Sequence, residues 1–148
     1  MKWTKGRGRL GIFSKLLGTW KTEADSEMGK VTATRSFRKV FDGKYIEVTA
    51  HWEYEGGSYD EVAMIGVNRE KEICFWSFTS DGKQSEGKLA DVTEIHPQAF
   101  GFEAHMPAGL GRMAYWPHEE AGFIWVVEAL TKKGWRRIVE HHYLGLAR

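Results

Sequence analysis

Residues 43–54 read Gly-Lys-Tyr-Ile-Glu-Val-Thr-Ala-His-Trp-Glu-Tyr, with Ile46, Val48, Ala50, Trp52 and Tyr54 alternating against Tyr45, Glu47, Thr49, His51 and Glu53. A period of two puts the first set on one face of an extended strand and the second on the other. Upstream, Val31, Ala33, Phe37 and Phe41 share a face over 31–41, and Asp42-Gly43 is a hairpin turn that joins the two runs. The same alternation predicts strands over 17–25, 58–67, 72–79, 84–95, 99–106, 112–117, 121–130 and 135–145, with Asn68 to Lys71, Asp81-Gly82, Pro107 to Gly111 and Thr131 to Gly134 as turns. His96-Pro97 interrupts one connection. Ten antiparallel strands with hairpin links form an up-and-down meander, and closing it removes both exposed edges. The predicted fold is therefore all-β, a ten-stranded antiparallel up-and-down barrel. A short N-terminal helix precedes it, because Leu10, Phe13, Leu16 and Leu17 recur at helical spacing before Gly18.

Length and charge set the frame for this reading. The 148 residues suit one domain, and 21 Lys+Arg against 20 Asp+Glu leave a net charge of +1. Five of those bases (Lys2, Lys5, Arg7, Arg9 and Lys15) fall in the first 18 residues with no acid, leaving 16 bases against 20 acids in the remainder. We therefore divide the chain into a basic N-terminal leader with a short helix, 1–14, read as a solvated segment, and a barrel domain, 15–148. An acidic body argues against nucleic acid as a partner. No run of 18 apolar residues exists to insert in a membrane, and one cysteine, Cys74, excludes an intrachain disulfide. The expected location is cytoplasmic, Cys74 is expected in the core, and a homodimer is left open.

Leu16-Leu17-Gly18-Thr19-Trp20 resembles the opening of the calycin superfamily, where Gly-x-Trp begins the first barrel strand and the tryptophan plugs one end. Further features are the turn Phe41-Asp42-Gly43-Lys44-Tyr45, Ile65-Gly66-Val67 after Tyr59, Ser80-Asp81-Gly82 followed by Gly87, and an aromatic and basic last strand. Together they resemble a lipocalin-like family of bacterial ten-stranded barrels over most of 15 to 146. The resemblance implies a fold and no particular activity. Fatty-acid-binding proteins hold a carboxylate with Arg-x-Tyr on the last strand, and the matching positions here are His141 and Tyr143, without the arginine. Nitrobindin-like haem barrels follow Gly-x-Trp with glycines, whereas Lys21, Thr22 and Glu23 follow Trp20; His141 or His142 would be the iron ligand of that alternative.

Aromatics make up 14% of the chain, with seven Trp, five Tyr and eight Phe. A ten-stranded barrel is wide enough for a modest cavity, so these rings could wall a ligand. The leading reading is binding of a small, mainly hydrophobic molecule with one polar or anionic end, without a covalent step or cofactor. Phe37, Trp52, Phe75, Phe102, Met106 and Trp125 supply the apolar wall; Arg35, Ser77, His141 and Tyr143 orient the polar end. Arg35 interrupts an apolar face, where it meets a ligand anion, pairs with Glu128, or snorkels to the rim. In the last strand we place Trp135, Arg137, Val139, His141 and Tyr143 inward. The six histidines lack metal-ligand spacing, since His141 and His142 point to opposite faces. An isomerase or hydrolase using His141 as acid or base and Arg35 as anion stabiliser is the first alternative; a filled barrel that meets a partner protein is another.

Overall fold

A computed structural model describes residues 3–26 and 29–146. The described residues form ten strands: β1 Gly18–Ser26, β2 Gly29–Val40, β3 Tyr45–Tyr54, β4 Gly57–Val67, β5 Ile73–Thr79, β6 Gln84–Ala90, β7 Phe100–Met106, β8 Gly109–Pro117, β9 Phe123–Thr131 and β10 Gly134–Gly145. Each pairs antiparallel with its neighbour in sequence, and the sheet closes through β1 and β10. This is the expected all-β meander, consistent with a calycin-like fold. The closing seam is short, pairing Trp20 with Gly145 and Lys21 with Leu144, and it is extended by the Leu146 N–H donating to the Thr19 carbonyl at 3.0 Å. Among the described residues no helix is long and apolar enough to cross a membrane.

Antiparallel order brings the connections after β2, β4, β6 and β8 to the same end of the barrel as the N-terminal segment. That end is stoppered. The expected helix is a six-residue 3-10 helix, Gly11–Leu16. At three residues per turn Phe13 and Leu16 fall on one side, and both are completely buried. Phe13 stacks on Phe102 with centroids 5.6 Å apart and meets Phe100 edge-on at 5.8 Å. Trp20 donates from Nε1 to the Leu16 carbonyl at 2.7 Å and sets its ring edge-on to Phe123 at 4.9 Å, so the Gly-x-Trp tryptophan caps the barrel end. The leader is not simply solvated: Trp3 packs 6.2 Å from Phe123 and 6.3 Å from Phe100.

Three local departures from simple alternation shape the surface. The strand expected over 84–95 stops at Ala90, because the Asp91 carboxylate accepts the Thr93 N–H at 2.9 Å and the Thr93 hydroxyl at 2.6 Å, turning the backbone. The freed segment folds over the outside of the sheet, where Val92 and Ala99 bury against Ala114 and Val126 in a second small core. The β2–β3 turn holds Phe41, Asp42 and Gly43 at φ of 53°, 57° and 78°. Asp and Gly accept that left-handed geometry readily; Phe does not. Finally, the β9–β10 register shifts between Arg137 and Val139, leaving Ile138 as an extra residue. Val139, His141 and Tyr143 therefore point inward, while Arg137 lies opposite Glu128 on the outer side. The single inward face expected for β10 is correct only beyond this bulge.

Candidate functional site

Parity along each strand decides which side chains reach the interior. Arg35 on β2 follows Val31 and Ala33, points inward, and is 2% exposed. A lone buried guanidinium is costly, so its partners matter. Its Nη2 donates to the Tyr115 hydroxyl on β8 at 3.0 Å, and its Nη1 meets Glu61 Oε1 on β4 at 3.4 Å. The other Glu61 oxygen accepts the Ser77 hydroxyl from β5 at 2.5 Å. On the far wall the guanidinium carbon lies 4.3 Å from the Trp125 ring centroid. Arg35 thus spans the barrel and ties four strands to β2.

The expected Arg35–Glu128 pair does not form. Strand β9 buries Phe123 and Trp125 toward the interior, so Glu128, an odd number of residues further on, faces outward. There it accepts from Arg112 at 2.8 Å and from Arg137 at 3.1 Å, while Arg112 also pairs with Glu94 and lies 4.1 Å from the Trp135 ring centroid. The polar residue flanked by apolar neighbours in β9 serves this outer lattice. Trp135, expected inside, belongs to it too. Cys74 is buried as expected, but on the outer side, where the Asn68 Nδ2 donates to its sulfur at 3.2 Å. Burial raises its thiol pKa.

Of the ten residues expected to line the site, the structure gathers several around Arg35. His141, 5% exposed, sits with its ring centroid 4.9 Å from Trp52 and 5.7 Å from Trp125, and its Nδ1 lies 3.2 Å from the Tyr143 hydroxyl. Ser77 joins through Glu61. Phe37, Phe75 and Phe102 are all buried but lie toward the stoppered end, where Phe75 meets Phe102 edge-on at 4.9 Å and Phe37 packs against Tyr115 and Phe123. Met106 sits at the opposite rim, its methyl against Gly111. Glu61 and Tyr115 were missed in the sequence. Counting back by twos from Ile65 and Ala63 reaches Glu61, so the alternation that selected Arg35 could have found this partner, whereas apolar residues on both faces of 109–117 leave Tyr115 undecided.

The interior grades from apolar to polar along the barrel axis. Toward the stopper, Phe13, Phe37, Phe102, Phe123 and Ile46 are at most 2% exposed. Toward the opposite end, inward-pointing Trp52, Met106, Met113, Val127 and Val139 are only partly buried, and the Glu61 side chain keeps 18% of its exposure. Solvent therefore enters from that rim and reaches the carboxylate beside Arg35.

Electrostatics follow from this placement. Burial would lower the Arg35 pKa, but the oxygens of Tyr115, Glu61 and Tyr143 outweigh it and raise the value, so the guanidinium stays charged. His141 is pushed down to about 4 by burial and by the Arg35 charge, which keeps it a neutral imidazole at neutral pH. That form carries one acceptor nitrogen and one N–H donor, and little imidazolium is present at neutral pH. Burial drives the Tyr143 hydroxyl up to about 12, against the pull of Arg35, and raises Tyr115 as well. Arg35 Nε is buried with no acceptor among the described residues, and Trp125 Nε1, which faces the Tyr115 hydroxyl, falls short of full hydrogen-bond geometry with it. Among those residues no group of three or more His, Cys, Asp or Glu is placed to hold a metal.

In comparisons with known proteins, no family model and no curated protein matches this sequence.

Proposed function

We propose that this lipocalin-like barrel is a binding module for a small, mainly hydrophobic molecule that presents one hydrogen-bond acceptor, carbonyl or carboxylate, to Arg35. The observation that carries the reading is the interior donor Arg35 Nε, buried with no acceptor among the described residues, next to Trp125 Nε1, whose contact with the Tyr115 hydroxyl is incomplete. Leaving a buried donor unsatisfied costs roughly 1–3 kcal/mol, a deficit that an incoming acceptor would relieve at Arg35 Nε. The position of that donor supports a ligand entering from the rim beyond Trp52 and Met106. Its polar end would lie among Arg35, Trp125, His141 and Tyr143, with Glu61 and Ser77 completing the polar wall. Its apolar body would contact Trp52, Met106 and the neighbouring rim, over a floor built from Phe37, Phe75 and Phe102. Neutral His141 adds a further acceptor or donor to that wall without adding charge.

The test is competition for a fluorescent naphthalene sulfonate probe by decanoate, decanal and decane. Saturable displacement in which the oxygenated chains outcompete the alkane, with that preference lost in Arg35→Met, supports the reading. Absence of saturable binding, or equal displacement by all three, would overturn it.

A further inference from the structure

A cavity of about 570 Å³ lies at the stoppered end, between the N-terminal loop and the β2–β3 turn. Arg7, Arg9, Lys39 and Lys44 line it, and no acidic residue does. All four cations are exposed. Arg7, Lys39 and Lys44 have no carboxylate partner among the described residues, and Arg9 is steered by donating to the Lys71 carbonyl. Four positive charges converging on one hollow repel each other unless an anion joins them. The floor between them is apolar, formed by Leu10, Leu17, Tyr45, Ile46 and Val67, and the Ser14 hydroxyl adds a neutral donor.

The frame that presents these charges is built, not loose. The Gly6 N–H donates to the Gly11 carbonyl at 2.8 Å and the Gly11 N–H to the Gly8 carbonyl at 3.1 Å. A Cβ on Gly11 would lie 2.1 Å from the Gly6 carbonyl oxygen, so only glycine allows this loop to close. Arg7 and Arg9 are thereby held on a fixed ring facing Lys39 and Lys44. The volume suits a small organic molecule better than a bare ion.

We propose that this cavity is a binding site for an organic phosphate, its phosphoryl group held by Arg7, Arg9, Lys39 and Lys44 and its body resting on Leu10, Leu17 and Tyr45. Guanidinium and ammonium donors match phosphoryl oxygens in charge and geometry. The same chemistry is offered by a soluble phosphate monoester and by a phosphomonoester lipid headgroup. Phe41, 68% exposed in the turn that also carries Gly43 and Lys44, would touch the apolar layer only in the second case.

Two arms separate these sources. In the first, calorimetry compares 4-nitrophenyl phosphate with 4-nitrobenzoate; in the second, co-sedimentation uses phosphatidylcholine vesicles with and without phosphatidic acid. Expected is saturable binding of the phosphate in at least one arm, preferred over the carboxylate or over undoped vesicles, and weakened about tenfold or more in Arg7→Gln/Lys44→Gln. Lys44→Arg should retain it, and near-ultraviolet circular dichroism verifies that the variants are folded. Recruitment to the doped vesicles that is weakened in Phe41→Ser assigns the lipid source; saturable binding of 4-nitrophenyl phosphate without recruitment to doped vesicles assigns the soluble one. No saturable binding in either arm, or binding unaffected by Arg7→Gln/Lys44→Gln, would sink the proposal.

Discussion

The guanidinium carbon of Arg35 on β2 lies 4.3 Å from the ring centroid of Trp125 on β9, so a cation and an indole from non-adjacent strands meet across the barrel interior. Contacts of this kind tie strands that share no backbone hydrogen bonds. They also make the loss of Arg35 and the loss of its partner Glu61 unequal in effect.

Glu61→Ala should destabilise the fold more than Arg35→Met. Removing Glu61 strands a guanidinium that cannot deprotonate and is almost wholly buried, at a cost of about 3 kcal/mol. Removing Arg35 leaves a carboxylate that water already reaches and that Ser77 still supports, so about 1–2 kcal/mol is expected. Urea unfolding of both variants checks the order, and the reverse order would refute this account of the charge.

Stability should fall as pH drops from about 6.5 toward 4, in part because of His141. Its folded pKa is depressed to about 4, below the ordinary value of 6.5, so in that window the unfolded chain binds the proton and the folded one does not. The contribution is on the order of 3 kcal/mol, mostly expressed by about pH 4 and absent above about pH 7. Carboxylates titrate in the same region, which is why the measurement is a difference: unfolding free energies of the wild type and His141→Gln across pH 4 to 7. Parallel curves would contradict the assignment.

Phe13→Ala should cost about 3–5 kcal/mol, a large effect for a residue in a six-residue 3-10 helix before the first strand. Its ring fills the end of the barrel against Phe100 and Phe102. Thermal unfolding by calorimetry reads this directly; a cost below 1 kcal/mol would mean that the stopper contributes little to the core.

A Cβ at Gly101 would lie 1.9 Å from the Met113 carbonyl oxygen, whereas one at Gly57 would meet only the Tyr54 ring at 3.5 Å. Gly101→Ala must therefore push backbone apart between β7 and β8 and should lose about 2 kcal/mol or more, while Gly57→Ala should stay within about 0.5 kcal/mol of wild type. Chemical denaturation of the pair tests it, since similar losses would point to a shared backbone effect instead of the steric one.

Most of the architecture was legible because a two-residue period is hard to mistake. From Val31 to Tyr54 alternation alone orients each of the two strands, and Asp42-Gly43 supplies the turn. It failed where a local interaction altered the count. Asp91 capturing Thr93 ended β6 early, and one added residue at Ile138 reversed the facing of everything before it in β10. Arg35 stood out as a charge on an apolar face, but its partner is set by barrel register, which brings β4 and β8 to it from elsewhere in the ring. Glu128, the carboxylate that looked suited by its neighbours, lies on the other side of the wall. The basic cavity escaped notice because it combines a leader and a turn that are far apart in the chain.

Phe13, Leu16 and Trp20 close one end of the barrel, while the opposite rim admits solvent as far as Glu61. A molecule of the proposed kind that entered between the hairpins of the free rim would have to withdraw by the same route, so its arrival and departure would share one gate and their rates would rise and fall together. Stiffening that rim, for instance by joining β3–β4 to β7–β8 at their tips, would slow filling and emptying alike while leaving the occupied fraction at equilibrium almost untouched.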